Sequence, residues 1–224
     1  MQQIIDSILR FIKWPTAVLA VFLLPGATLG LLELMQELMS HPTRYGPFLA
    51  GGLVYYWLWK HFFRRRYWGS MLSTLEHELT HALFGLLTFR LARSLKVTWN
   101  RGGHVTFQGP VNWPILIAPY WFPTATFALF SLLYLGAISP SPMWSAFLGV
   151  SVAYHLTSTW IETHSEQSDL SRVGFLFCWC TLPFLNTWAY GMVFAGIVGG
   201  PDRAQSYCVE VFTRSWQTTA LIFS

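Results

Sequence analysis

The sequence predicts a mainly α-helical polytopic membrane protein with about six transmembrane helices and one short β-hairpin. Composition supports this class first, because 53% of the 224 residues are apolar and only 11% are charged. Soluble domains carry roughly 25% charged residues, so this chain has too few charges to cover a surface in water. The apolar residues also fall into long runs. A lipid bilayer is therefore the expected solvent.

Six apolar runs have a length and composition that favour membrane spans. The first 14 residues form a short amphipathic stretch and are expected to lie at the membrane interface. Residues 200–224 are mixed in character and are expected to form an interfacial tail. No linker interrupts the chain, so we expect a single membrane-embedded domain over residues 1–224. The predicted spans cover residues 15–34, 47–63, 68–89, 113–135, 143–161 and 173–198.

The basic residues indicate orientation and exclude nucleic acid as the expected partner. The formal net charge is +4, but the basic side chains lie at the ends of apolar runs, as cationic anchors beside lipid headgroups do. The largest cluster closes the second run and is expected to face the cytoplasm, which places the N-terminus there too. This cluster consists of Lys60, Arg64, Arg65 and Arg66.

A change of pattern after the third run predicts the β-hairpin. Within residues 95–109, apolar residues alternate with polar ones on both sides of a Gly-Gly pair, which is typical of two strands joined by a tight turn. The apolar positions are Val97, Trp99, Val105 and Phe107, and the turn is Arg101-Gly102-Gly103.

The third run carries the motif on which the chemistry depends, His77-Glu78-Leu79-Thr80-His81. On a helix, two histidines four residues apart share one face and can bind one zinc ion together. The glutamate beside the first histidine can then act as a general base toward a zinc-activated water. Ionisable groups within a membrane span are costly, which itself favours a functional site.

The motif in its surroundings, EHELTHALFGLL followed by the hairpin and then APYWFP, resembles the site-2 protease family of intramembrane zinc metalloproteases. Its short bacterial members are the most similar, and the resemblance covers residues of about 70 to 190. It implies one Zn²⁺ ion, a membrane protein or peptide as substrate, and a location in the bacterial inner membrane. It also implies that the hairpin lies near the active site and pairs with an unwound substrate strand.

The same resemblance bears on the third zinc ligand. In that family an aspartate from a later span, in a pattern like LDG, completes the site. This chain has no LDG, and the role passes by resemblance to Asp169, whose carboxylate suits zinc. The alternative third ligand is His155 in the fifth predicted span. His155, Glu162 and Asp169 recur at intervals of seven and would share one face if a helix continued through them.

Counting spans creates a difficulty for Asp169. If each run crosses the membrane once, Asp169 lies on the opposite side from His77. The difficulty disappears if residues 90–123 dip back into the membrane, and their prolines permit a broken helix where the backbone lines a protein cavity. Otherwise His155 serves as the ligand.

These observations predict a zinc-dependent intramembrane endopeptidase in which Glu78 is the catalytic base. One alternative is a non-catalytic membrane scaffold that keeps the His/Glu cluster for metal binding or packing. Another is a different membrane zinc hydrolase, such as a prenyl-protein protease, which would take a glutamate as its third ligand. Substrate-binding residues and the oligomeric state are not predicted.

Overall fold

The computed structural model of the chain describes residues 1–63, 67–98 and 102–223. The structure is mainly helical with one two-stranded antiparallel sheet, in agreement with the predicted class. The helices are α1 (Gln2–Ser40), α2 (Pro42–Leu58), α3 (Tyr67–Leu87), α4 (Trp113–Ile117), α5 (Thr124–Tyr134), α6 (Pro142–Glu162), α7 (Ser168–Val173) and α8 (Phe175–Phe223). A π-helical turn (Trp59–Phe63) follows α2, and a 3₁₀ turn (Ala118–Tyr120) follows α4.

The prediction of six membrane spans is not confirmed. Within the described residues, two helices are long and apolar enough to cross a membrane, Gln2–Ser40 and Phe175–Leu221. A third candidate is the pair Trp113–Tyr120 and Thr124–Tyr134, which is bent by 85°. Several predicted spans are too short or too polar as helices. For example, α2 has 17 residues, and α3 carries Glu, His and Thr side chains along its length.

Both ends of the described chain are helical, and their expected position at the membrane interface stays a prediction. At the first end, α1 runs without a break from Gln2 to Ser40. The predicted tail is helical, since α8 continues beyond residue 200. A kink at Gly199 and Gly200 divides α8, and Gly200 adopts φ 73°, a left-handed conformation that favours glycine.

The hairpin is present, but it begins earlier than predicted. Strand β1 covers Ala92–Val97 and β2 covers Gly103–Phe107, with Leu95 opposite Val105. Two residues of the predicted hairpin lie outside the described residues, namely Trp99 of its first strand and Arg101 of its turn. The same holds for Arg64, Arg65 and Arg66 of the basic cluster.

The chain divides into two compact units, of which the first holds every residue of the predicted site. This unit contains residues 1–9 and 46–173. Two glycines bring the hairpin close to α3. A Cβ atom at Gly103 would lie 2.7 Å from the Thr74 side chain, and one at Gly85 would lie 2.4 Å from the ring of Phe107. Close backbone approach therefore fixes the hairpin beside the helix that carries the motif.

Other contacts fix the remaining parts of this unit. A Cβ atom at Gly149 of α6 would lie 1.9 Å from the carbonyl oxygen of Phe48 in α2, so these helices pack backbone to backbone. At the base of the hairpin, Arg90 is 2% exposed, forms an ion pair with Asp6 and donates to the carbonyl oxygen of Gln108. A buried cation of this kind needs such partners.

The second unit contains residues 10–45 and 174–224. Here α1 and the second half of α8 approach closely at small residues. A Cβ atom at Gly26 would lie 2.1 Å from the carbonyl oxygen of Val211, and the Gly26 N–H donates to Ser215. Tyr207 is fully buried and donates to the carbonyl oxygen of Ala27. Small residues at such crossings are typical of helices packed in membranes.

Candidate metal centre

The two histidines of the motif lie side by side on α3. Their spacing of four residues is about one helical turn, and their ring centroids are 4.8 Å apart. His81 is 5% exposed, and the side chain of His77 is 12% exposed. The ring of Tyr120 packs edge-on against His77 with a centroid distance of 5.3 Å. The helix period therefore brings two imidazoles together inside the protein.

Both rings are oriented by a hydrogen bond to the same ring atom, Nδ1. In His81, Nδ1 lies 2.7 Å from the carbonyl oxygen of Ile115 in α4. In His77, Nδ1 lies 2.8 Å from Oε2 of Glu162, the last residue of α6. A carbonyl oxygen only accepts hydrogen bonds, so Nδ1 of His81 carries a hydrogen. Nε2 is then the ring atom left for a further partner.

Both Nε2 atoms point toward Asp169 in α7. Oδ2 of Asp169 lies 3.1 Å from Nε2 of His81 and 3.8 Å from Nε2 of His77. Burial raises the pKa of the Asp169 carboxyl group, but its contacts with the two histidines outweigh burial and hold that pKa below its usual value. The side chain is therefore a carboxylate.

This arrangement fits a zinc ion. The three ligand atoms lie within 4.8 Å of one another, and ligands about 2.0–2.1 Å from one tetrahedral zinc are about 3.4 Å apart. The chemistry agrees, because imidazole nitrogens and a carboxylate oxygen are ligand types that zinc accepts, and Nε2 of His81 lies 3.1 Å from Oδ2 of Asp169.

Glu78 lies on the same cavity as two of these groups. It is 7% exposed, and its carboxylate accepts a hydrogen bond from the backbone of Val105 in β2. The cavity has a volume of about 250 Å³. The residues around it come from α3, the hairpin, α4 and α7, and they include Glu78, His81, His104, Val105, Asp169 and Arg172. A buried glutamate, two ligand candidates and room for a small group thus share one cavity.

The structure does not bring His155 to this cluster. His155 is 2% exposed, its ring approaches the hydroxyl group of Thr159 at 3.5 Å, and it bonds to the backbone of Phe122. The group of metal-binding candidates among the described residues contains His77, His81 and Asp169. His155, Glu162 and Asp169 were expected to share one face only if a single helix continued through them. This condition is not met, since α6 ends at Glu162 and α7 begins at Ser168.

Asp169 lies next to His77 and His81, although counting one membrane crossing per apolar run placed it on the opposite side. The stretch between them contains the 85° bend between Trp113–Tyr120 and Thr124–Tyr134, a broken helix of the kind that the re-entrant alternative required. The structure also reveals a partner that the sequence did not indicate, namely Glu162 on Nδ1 of His77. Its contact spans 85 positions in the chain, and local spacing carries no signal for it.

The chain is mainly helical, has two helices apolar and long enough to cross a membrane, and holds a His/His/Asp cluster beside a buried glutamate, which are the features expected of a membrane-embedded metallopeptidase. A family model described as Peptidase M50B-like matches residues 48–215. This match covers most of the chain and includes the whole cluster, so the protein belongs to the Peptidase M50B-like family. No curated protein and no solved structure matches the chain. The expected resemblance to site-2 proteases is confirmed at the level of the family.

Proposed function

We propose that the protein is a zinc-dependent intramembrane endopeptidase that hydrolyses peptide bonds of membrane-associated substrates. One zinc ion would be bound by His77, His81 and Asp169, with Glu78 as the general base. The observation that carries this proposal is the convergence of two histidine Nε2 atoms on one carboxylate oxygen. It occurs beside a buried glutamate in a chain of a peptidase family.

The residues divide the chemistry between them. A zinc ion held by His77, His81 and Asp169 would supply a Lewis acid able to polarise the scissile carbonyl group and to lower the pKa of a water molecule toward about 7. Glu78 accepts the proton of the attacking water and delivers it to the leaving amine. The backbone of Val105 holds the Glu78 carboxylate toward the cavity.

The hairpin supports a proposal for substrate binding. Its strands pair with each other over Ala92–Val97 and Gly103–Phe107, so each strand has one edge that is not paired within this sheet, and an extended peptide would pair with such an edge. Since β2 contributes Val105 and His104 to the cavity wall, a peptide on this sheet would pass close to Glu78. A membrane protein whose helix has unwound locally is the substrate that fits.

The proposed location in a membrane is supported by the family, by the two apolar helices and by the position of the basic residues. Family membership and two apolar helices place the chain in a membrane. The bacterial inner membrane and a cytoplasmic N-terminus belong to the proposal. They are supported by the resemblance to short bacterial members and by the basic cluster that begins at Lys60.

The decisive variant is Glu78→Gln, which keeps the shape of the side chain and removes its basicity. The purified protein is placed in liposomes with a labelled single-span model peptide, and cleavage and bound zinc are measured. We expect Glu78→Gln to lose at least about 1000-fold in turnover, since the general base is lost. Bound zinc should remain at the wild-type level.

Glu76→Gln is the matched control, because it is the same change two residues away on the same helix. Glu76 accepts a hydrogen bond from the N–H of Ala125 at 2.9 Å, which a glutamine oxygen can also accept, so turnover should persist. A wild-type protein that binds zinc but cleaves no peptide, and whose cellular function survives Glu78→Gln, would instead identify the metal-binding scaffold.

A further inference from the structure

The rings of His77 and His81 are oriented by different kinds of partner, and only the partner of His77, Glu162, is a side chain. The ring of His81 is fixed by a main-chain carbonyl group, that of Ile115, which no substitution removes. The ring of His77 is fixed by a side chain, since its Nδ1 lies 2.8 Å from Oε2 of Glu162. The orientation of one ligand candidate therefore depends on one carboxylate that can be changed.

The position of Glu162 is itself well defined. It is the last residue of α6, and α6 packs closely on α2 through Gly149 and Phe48. Its side chain is only 20% exposed at the contact. Since Nδ1 and Nε2 lie on opposite sides of the imidazole, a carboxylate on Nδ1 is too far away to share an ion bound at Nε2. Glu162 thus contacts the ligand and does not replace Asp169.

We propose that Glu162 is a positioning residue for the metal centre: by accepting the Nδ1 hydrogen of His77, it fixes the tautomer that presents the Nε2 lone pair to zinc and makes that nitrogen a stronger ligand. This inference rests on the proposed function. A carboxylate in this place restricts ring rotation and increases ligand basicity, and loss of such partners costs roughly 10- to 100-fold in metal affinity in other zinc proteins.

Two variants separate orientation from charge. Glu162→Gln keeps an oxygen that can accept the Nδ1 hydrogen but removes the negative charge. Glu162→Ala removes the acceptor altogether and frees the ring of His77. We expect zinc affinity to fall in the order wild type, Gln, Ala, with the alanine variant weaker than wild type by roughly 10- to 100-fold. Affinity is measured by competition with a chromophoric chelator on the full chain in detergent.

A second readout distinguishes ligand geometry from general damage. Cobalt(II) is loaded in place of zinc, and the visible absorption bands report how the ligands are arranged. Glu162→Ala should shift or broaden these bands, and Glu162→Gln should restore most of the wild-type spectrum. Glu166→Ala is the matched control, because it removes an exposed carboxylate four residues away. Within the described residues, the Glu166 side chain has no hydrogen bond or ion pair with His77 or His81, and only its backbone N–H contacts a histidine, His164. It should change neither readout.

The outcomes separate this inference from the proposed function. If wild type and Glu162→Ala bind zinc equally well and give the same cobalt spectrum, Glu162 has no positioning role, although the protease assignment stands. If Glu162→Ala abolishes binding as completely as Asp169→Ala, Glu162 is itself a ligand and the inference is also overturned. A wild-type protein that binds no zinc at His77 and His81 refutes the proposed function.

Discussion

Helices α3 and α8 both place ionisable side chains on largely apolar helices, but they pair them differently. In α8, Arg214 lies 2.5 Å from Glu33 of α1 and 3.5 Å from Glu210, so positive and negative groups satisfy each other. In α3, His77 and His81 each direct Nε2 toward the Asp169 carboxylate. The first arrangement pairs fully charged groups within the protein, whereas the second brings two imidazoles to one carboxylate oxygen, which is the arrangement that the proposed zinc ion would complete.

The comparison shows why the presence of charges in a membrane helix does not by itself define a site. Polar groups in α8 accompany close helix packing, where Gly26 approaches Val211 and Tyr207 fills the space beside Gly30 and Gly191. Polar groups in α3 surround a cavity of about 250 Å³. Changes at the first region should therefore alter stability, and changes at the second should alter metal binding and turnover.

The largest effect is expected from Asp169→Ala. Removal of one of three proposed ligands should lower zinc affinity by more than about 100-fold and abolish cleavage, because only two protein donors remain. Metal content after dialysis against a weak chelator measures this.

His155→Ala is the matched comparison, since it removes the other histidine that the sequence offered as third ligand. It should retain a full equivalent of zinc per folded molecule, although loss of a buried side chain lowers stability. Full zinc retention by Asp169→Ala would show that the metal site is wrongly assigned.

The second-largest effect is expected where α1 and α8 cross. It should lower stability and leave zinc affinity unchanged. In Gly26→Ala, the new methyl group meets the Val211 carbonyl oxygen at 2.1 Å. Because this neighbour is backbone and cannot rotate away, we expect a loss of about 3 kcal/mol in the free energy of unfolding.

Gly46→Ala provides the control, since nothing lies within 4 Å of a Cβ atom at this helical position. It should raise stability by about 0.5 kcal/mol. Unfolding in detergent is followed by circular dichroism, and zinc affinity of the folded fraction should be unchanged in both variants. A Gly26→Ala protein as stable as wild type would argue against the close crossing of α1 and α8.

The sequence predicted those parts of the site that depend on local spacing. His77, Glu78 and His81 lie within five residues, and the helical period alone brings the two imidazoles together. The hairpin was predictable from alternation and glycine. Asp169 depended on resemblance and on the preference of zinc for carboxylates, because nothing in the spacing between α3 and α7 indicates a contact.

The bends and lengths of the helices depend on tertiary packing, which the composition of an apolar run does not reveal. The sequence pattern predicts one span for each apolar run, but the run after the hairpin is bent by 85° and the last run continues past Gly200. The contact between Glu162 and His77 could not be recognised, since it depends on where α6 ends relative to His77. Long-range contacts of this kind arise from the fold as a whole.

A smaller effect is expected where the hairpin meets the catalytic base. In Gly103→Ala, the methyl group would lie 2.7 Å from the Thr74 side chain and 3.0 Å from Cγ of Glu78. The strand should shift and weaken the hydrogen bond from Val105 that orients Glu78. We expect turnover to fall about 10-fold, which corresponds to about 1.4 kcal/mol in the barrier.

Zinc binding should be unaffected in Gly103→Ala, since the two histidines are held by Glu162 and Ile115 and not by β2. Gly52→Ala is the comparison, because its methyl group makes an ordinary contact of 3.4 Å in α2. A parallel loss of zinc and turnover in Gly103→Ala would mean that the hairpin supports the metal centre itself.

The smallest effect is expected from Tyr207→Phe in the second region. This change removes the tyrosine hydroxyl, whose single hydrogen is directed to the carbonyl oxygens of Ala27 at 3.1 Å and Thr187 at 3.4 Å, and leaves the ring in place. Such a hydrogen bond contributes about 1 kcal/mol, and Ala27 lies in a helix where its carbonyl oxygen can keep a second, backbone partner. Unfolding should therefore become easier by about 1 kcal/mol or less, with cleavage and zinc affinity unchanged. If Tyr207→Phe instead reduced turnover, polar contacts in the second region would influence catalysis, and the division between stability and chemistry would fail.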